Sequence, residues 1–90
     1  MPTVAITIKG EVQGVFYRQS TKEKAVSLGL TGFVENKTGG DVFIIATGLQ
    51  EKLDNLIRWC KLGPPKASVL EVIVEPLPDM NFEGFSIHRH

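Results

Sequence analysis

The sequence predicts an α+β fold in which two helices cover one face of an antiparallel-type sheet. Three observations support this: apolar residues alternate early in the chain, two later segments have helical spacing, and glycine or proline marks most segment ends. The predicted order is β-α-β-β-α-β plus a short terminal strand, which is the split β-α-β or ferredoxin-like arrangement. Ninety residues fit one small domain, so residues 1–90 are assigned to a single domain.

Residues 3–9 alternate in polarity and predict a half-buried first strand. One face carries Val4, Ile6 and Ile8, and the other, expected to stay open, carries Thr3, Ala5 and Thr7. A glycine-bounded loop follows this strand.

The first helix is predicted over residues 18–29, where Gly29 would end it. Its apolar stripe is formed by Tyr17, Thr21, Ala25 and Leu28. A capping box of Ser20 and Glu23 would instead start the helix two residues later. The sequence leaves this boundary open.

The remaining elements are a hairpin, a second helix and two further strands. Residues 31–36 and 41–48 predict the hairpin, because the paired glycines of the turn between them allow positive φ. Residues 49–63 predict the second helix, with a stripe of Leu49, Leu53, Leu56, Ile57 and Cys60. Residues 68–75 and 85–88 predict the last two strands.

This order of elements brings two distant segments together. A helix joins the first two strands, so these strands should run parallel and end at the same edge of the sheet. The loop over residues 10–17 leaves the first strand at that edge, and Asn36 ends the second. We therefore expect the loop and Asn36 to be neighbours.

The loop itself has the composition of an anion-binding turn. Arg18 lies where the first helix begins, and positive charge there is unfavourable by roughly 0.3–1 kcal/mol. An anion held by backbone N–H groups and by the Arg18 guanidinium would make the placement favourable. The N–H donors would come from Gly14, Val15, Phe16, Tyr17 and Arg18. Alternatively, the segment is a tight turn from which Arg18 reaches solvent.

Two patterns resemble the signatures of the acylphosphatase family. The first is Gly10-x-Val12-Gln13-Gly14-Val15-x-Tyr17-Arg18. The second is Gly32-Phe33-Val34-x-Asn36-x-x-x-Gly40-x-Val42, with Gly48 six residues later. The resemblance continues through residues 63–69 and the closing strand, and so extends over essentially the whole chain.

The resemblance implies hydrolysis of the carboxyl–phosphate bond of small-molecule acyl phosphates by a monomer, without metal or cofactor. It implies that Arg18 and the loop amides bind the phosphoryl group and that Asn36 orients the attacking water. Two residues depart from the usual family pattern. Tyr17 replaces phenylalanine or methionine and adds a hydroxyl that needs a partner, and Glu35 replaces a basic or neutral residue.

Composition argues against several other functions. Ten basic residues balance ten acidic ones, and the first strand offers no aromatic platform, so nucleic-acid binding is not expected. No apolar run is long enough for a signal peptide or a membrane span. The single cysteine, Cys60, fits a core position in a cytoplasmic protein and excludes a paired-cysteine metal chaperone. A phosphate-binding module without turnover remains the rival hypothesis.

Overall fold

The computed structural model describes residues 1–89, which form the predicted order of elements. Their bounds are β1 Thr3–Glu11, α1 Tyr17–Ser27, β2 Thr31–Asn36, β3 Val42–Thr47, α2 Gln50–Leu62, β4 Ser68–Leu77 and β5 Phe85–His88. The strands lie side by side in the order β4-β1-β3-β2-β5. Neither helix of this described part is long and apolar enough to cross a membrane.

The sheet is mixed, not purely antiparallel. Three of its four strand pairs are antiparallel, but β5 pairs with β2 in parallel. The sequence predicted an antiparallel-type sheet because the element pattern does not specify the direction of the terminal strand. The parallel pair arises because the connection after β4 crosses the sheet from one edge to the other before β5 begins.

The expected relation between β1 and β2 is confirmed. Both strands are antiparallel to β3, which lies between them, so they run parallel to each other. The C-terminal ends of β1 and β2 therefore lie at the same end of the sheet. This topology positions the loop after β1 beside Asn36.

The core lies between the helices and one face of the sheet. The residues predicted for that face are buried: Val4, Ile6 and Ile8 from β1, Val42, Ile44 and Ala46 from β3, and Leu53, Leu56 and Cys60 from α2. Leu49, predicted to belong to the helical stripe, is instead the N-cap of α2 and is mostly exposed. The cap residue precedes the first helical turn, so the helical stripe does not include it.

The opposite face is less open than predicted. The hydroxyls of Thr3 and Thr47 lie 2.7 Å apart and both are buried. The Thr47 hydroxyl donates to the carbonyl of Met80, and the Thr3 hydroxyl accepts from the N–H of Met80. These bonds hold the connection between β4 and β5 against one end of this face.

Aromatic side chains also lie on this face, contributed by strands other than β1. In the register of β2 and β3, Phe33 pairs with Ile45 and Glu35 pairs with Phe43. These positions alternate with the buried Val34, so their side chains lie on the opposite face of the sheet. The Phe33 ring stacks on His88 at 4.2 Å and meets Phe82 edge-on at 6.0 Å. The lack of aromatic residues inferred from β1 thus does not extend to the whole face.

Candidate anion-binding and catalytic site

The loop between β1 and α1 is shaped by two left-handed residues. Gly14 has φ +74°, which glycine adopts without steric cost. Phe16 has φ +64°, a conformation that costs a non-glycine residue about 1–3 kcal/mol. Phe16 is the N-cap of α1, and no side chain caps the helix there.

Helix α1 begins at Tyr17, so the alternative of a later start at a capping box is wrong. Its first backbone bond runs from the Ser20 N–H to the Phe16 carbonyl at 3.0 Å. Within the described chain, the N–H groups of residues 14–19 donate to no acceptor. No acidic residue lies in the first turn to offset the positive end of the helix dipole.

A cavity of about 480 Å³ opens beside this loop. Its lining consists of Val12, Gly14, Phe16, Tyr17, Arg18, Gln19, Asn36 and Arg89. The cavity thus brings together Arg18, Asn36 and three of the other residues that the sequence suggested for the site. The exception is Val15, which packs against the core and does not line the cavity.

The Arg18 side chain is partly buried at this cavity. Its Nη1 lies 3.5 Å from the carbonyl oxygen of His88, at the end of β5. No carboxylate in residues 1–89 forms an ion pair with Arg18. The guanidinium therefore keeps donors for an anion in the cavity, and β5 limits where its side chain can lie.

Asn36 carries a buried acceptor without a donor. Strand register pairs Asn36 with Val42, on the helix-covered side of the sheet. Its Oδ1 is buried, and no group in residues 1–89 donates to it. Such an atom costs about 1–3 kcal/mol unless a ligand or water satisfies it. A carboxamide oxygen of this kind can accept a hydrogen bond from a water molecule.

Glu35 lies on the other side of the strand, as alternation predicted. It pairs with Phe43 in the register, and its carboxylate lies 3.0 Å from Lys37 Nζ and 3.7 Å from His88 Nδ1. The ammonium of Lys37 offsets its negative charge. The departure at Glu35 thus adds no carboxylate to the cavity lining.

The hydroxyl of Tyr17, the other departure, has a partner deep in the protein. It donates to the carbonyl of Cys60 at 2.6 Å, and the ring lies 5.4 Å from that of Trp59. Burial raises the pKa of Tyr17 and raises that of Cys60 to about 12. Neither group can act as a base near neutral pH, and Cys60 is a core residue, as its sequence position predicted.

Sequence reasoning assigned no role to Gln13, which connects the loop to the hairpin. Its Nε2 donates to the carbonyls of Lys37 and Asp41, each at 2.9 Å. Both acceptors lie in the turn that follows Asn36. The presence of Gln13 in the first signature was the available signal, but its partners are 24 and 28 residues away and no spacing rule predicts them.

The comparisons with known proteins agree with one another. A family model described as Acylphosphatase matches residues 4–87. An acylphosphatase of Acaryochloris marina is 48% identical over 82 residues, which are 91% of this chain and 88% of that protein. The structure of an acylphosphatase from Coxiella burnetii superposes with a TM-score of 0.94 at 37% identity, covering 97% of this chain and 92% of that one. For acylphosphatase from Bacillus subtilis the TM-score is 0.95 at 30% identity, with coverage of 99% and 100%.

Proposed function

The chain belongs to the acylphosphatase family of hydrolases, and we propose that it hydrolyses acyl phosphates with Arg18 and Asn36 in distinct roles. The N–H groups of residues 14–18 and the Arg18 guanidinium bind the phosphoryl group. Asn36 orients the water that attacks phosphorus. The products are a carboxylate and inorganic phosphate.

Phosphoryl binding is supported by the donors that surround the cavity. The N–H groups at the start of α1 have no acceptor in the described chain, and Arg18 has no carboxylate partner there. Phosphoryl transfer places charge on three equatorial oxygens, so donors fixed in advance stabilise the transition state. Arginine is suited to this role because its planar fork matches two oxygens at once.

The single observation that carries the proposal is that one cavity is lined by both Arg18 and Asn36, whose buried Oδ1 has no donor among residues 1–89. A carboxamide can accept from a water and hold it in line without removing its proton. The carboxylate leaving group needs little protonation, and in this mechanism the substrate phosphate accepts the proton of the water. No protein base is then required, which agrees with the raised pKa values of Tyr17 and Cys60.

The test is hydrolysis of benzoyl phosphate in EDTA by the wild type, Arg18→Ala and Asn36→Ala. For Arg18→Ala we expect loss of both activity and inhibition by inorganic phosphate. For Asn36→Ala we expect near-normal phosphate inhibition with kcat lower by about 100-fold, the effect of removing a positioned polar group. Arg58→Ala and Asn81→Ala are matched controls, because both residues are exposed and outside the cavity lining.

Each possible result separates the roles. An Asn36→Ala variant with wild-type kcat would remove Asn36 from the mechanism, and tight phosphate binding by Arg18→Ala would remove Arg18 from the binding site. A wild type that binds phosphate through Arg18 but has no turnover would identify a phosphate-binding module instead of an enzyme. A monomeric state and a cytoplasmic location complete the proposal. The molar mass measured by light scattering tests the monomeric state.

A further inference from the structure

Phe16 is the residue of the cavity that folding explains least. Its side chain is 76% exposed, yet the residue lines the same cavity as Arg18 and Asn36. Single exposed apolar side chains are common on protein surfaces and need no explanation by themselves. The backbone of Phe16 and its position in the cavity distinguish it from the others.

Both local requirements at this position favour a different residue. The left-handed conformation favours glycine or asparagine, and the N-cap of a helix favours asparagine, aspartate or serine. Asparagine would satisfy both. Phenylalanine satisfies neither: φ is +64° and no side chain caps α1. Residue 16 is also the unspecified position between Val15 and Tyr17 in the first signature, so the anion-binding pattern does not require an aromatic ring there.

The cavity has room for more than a phosphoryl group. Its volume of about 480 Å³ lies within the roughly 300–1,000 Å³ of pockets that hold small organic ligands. Its lining combines the polar Arg18 and Asn36 with the apolar Val12 and Phe16. A ligand with a charged end and an apolar end matches this division. An acyl phosphate with a bulky acyl group is such a molecule.

We infer that Phe16 contacts the acyl group of the substrate and selects acyl phosphates with aromatic or large apolar acyl groups. The inference rests on the proposed function and adds a specificity-determining residue to it. Phe16 takes no part in bond making or breaking. Its ring lies against the leaving group, while its N–H belongs to the phosphoryl-binding loop.

The experiment compares kcat/KM for benzoyl phosphate and acetyl phosphate in the wild type, Phe16→Asn and Phe16→Tyr. We expect the benzoyl-to-acetyl ratio to fall by about three- to tenfold in Phe16→Asn, the factor typical of one aromatic contact. The ratio should be retained in Phe16→Tyr, which keeps the ring. Leu70→Asn is the control for losing a surface apolar group, because Leu70 is 83% exposed on β4 and outside the cavity lining.

A urea denaturation series completes the test, since asparagine suits the local backbone. Phe16→Asn should unfold at the same or a higher urea concentration than the wild type. An unchanged substrate ratio, with both activities lowered by one common factor, would overturn the inference and leave the proposed function intact. So would a marked loss of stability in Phe16→Asn, because the ring would then have a structural role. A wild type that hydrolyses neither substrate would overturn both proposals.

Discussion

Replacing Tyr17 with phenylalanine tests how α1 is anchored to α2. Helix α2 ends at Leu62, and the chain continues through Gly63 and Pro64. The carbonyl of Cys60 would ordinarily accept from the N–H four residues later, but Pro64 has none. The Tyr17 hydroxyl supplies the missing donor at 2.6 Å, in a buried position.

The expected magnitude follows from the atom left behind. Tyr17→Phe removes the donor and leaves the Cys60 carbonyl buried, which costs about 1–3 kcal/mol. The ring remains and opens no large cavity, so we expect the free energy of unfolding to fall by about 2 kcal/mol. For a domain of this size, each kcal/mol lowers Tm by roughly 4–8 °C. Urea unfolding followed by Trp59 fluorescence measures the change, and an unfolding free energy within about 0.5 kcal/mol of wild type would refute the reasoning.

The burial of the Tyr17 hydroxyl gives the prediction a pH dependence. Burial raises the pKa of Tyr17 above its ordinary 10.0, so the folded protein holds this proton more tightly than the unfolded chain. The resulting stabilisation is complete below pH 10 and is lost as pH rises further. Cys60 acts in the same direction between its ordinary 9.0 and about 12. Stability of the wild type should therefore fall more steeply above pH 10 than that of Tyr17→Phe, and parallel curves would contradict this assignment.

Two further substitutions test the loop and the sheet. Gln13→Leu removes both hydrogen bonds from the loop to the turn after β2. We expect kcat to fall by about tenfold or more because the loop is misplaced, while the unfolding free energy stays within about 1–2 kcal/mol of wild type. An unchanged kcat with a larger loss of stability would make Gln13 purely structural. Gly32→Ala should cost more than about 3 kcal/mol in a denaturation assay, because φ is +139° and the new Cβ would overlap the carbonyl oxygen of Ile45. Gly39→Ala is the control, because its φ is also positive, at +98°, but no atom lies near the new Cβ. We expect it to cost about 1 kcal/mol. An equal loss of stability in both variants would show that the overlap with Ile45 is not the cause.

The sequence predicted the strands best where alternation and turn residues agree. The bounds of β2 and β5 match the prediction, since glycine or another turn signal lies next to each strand. Strand β4 runs two residues further than predicted, through Pro76 to Leu77. Proline predicts the end of a strand because it cannot donate a hydrogen bond to a sheet. β4 is an edge strand, where a missing N–H on the outer side is tolerated.

The site was predictable to the extent that topology alone determines it. Because β1 and β2 run parallel, the backbone alone brings the loop next to Asn36. The prediction that the loop and Asn36 are neighbours is confirmed. The bond from Gln13 and the approach of Arg89 to the cavity depend on side-chain reach across distant segments. Neither periodicity nor spacing contains that information. The partner of the Tyr17 hydroxyl was unpredictable for the same reason, although the need for a partner was evident.

Three unfavourable features meet at the cavity, and they are not equivalent. Arg18 lies at the positive end of α1, Asn36 has a buried acceptor to which no group in residues 1–89 donates, and Phe16 has a left-handed backbone. In the proposed mechanism, a bound phosphoryl group would offset the charge of Arg18, and a water oriented for attack would satisfy Asn36. Neither relieves Phe16, because its cost lies in its own backbone and its exposed ring. The proposed phosphate chemistry would therefore account for the first two residues, and the proposed contact with the acyl group would account for the exposed ring of the third.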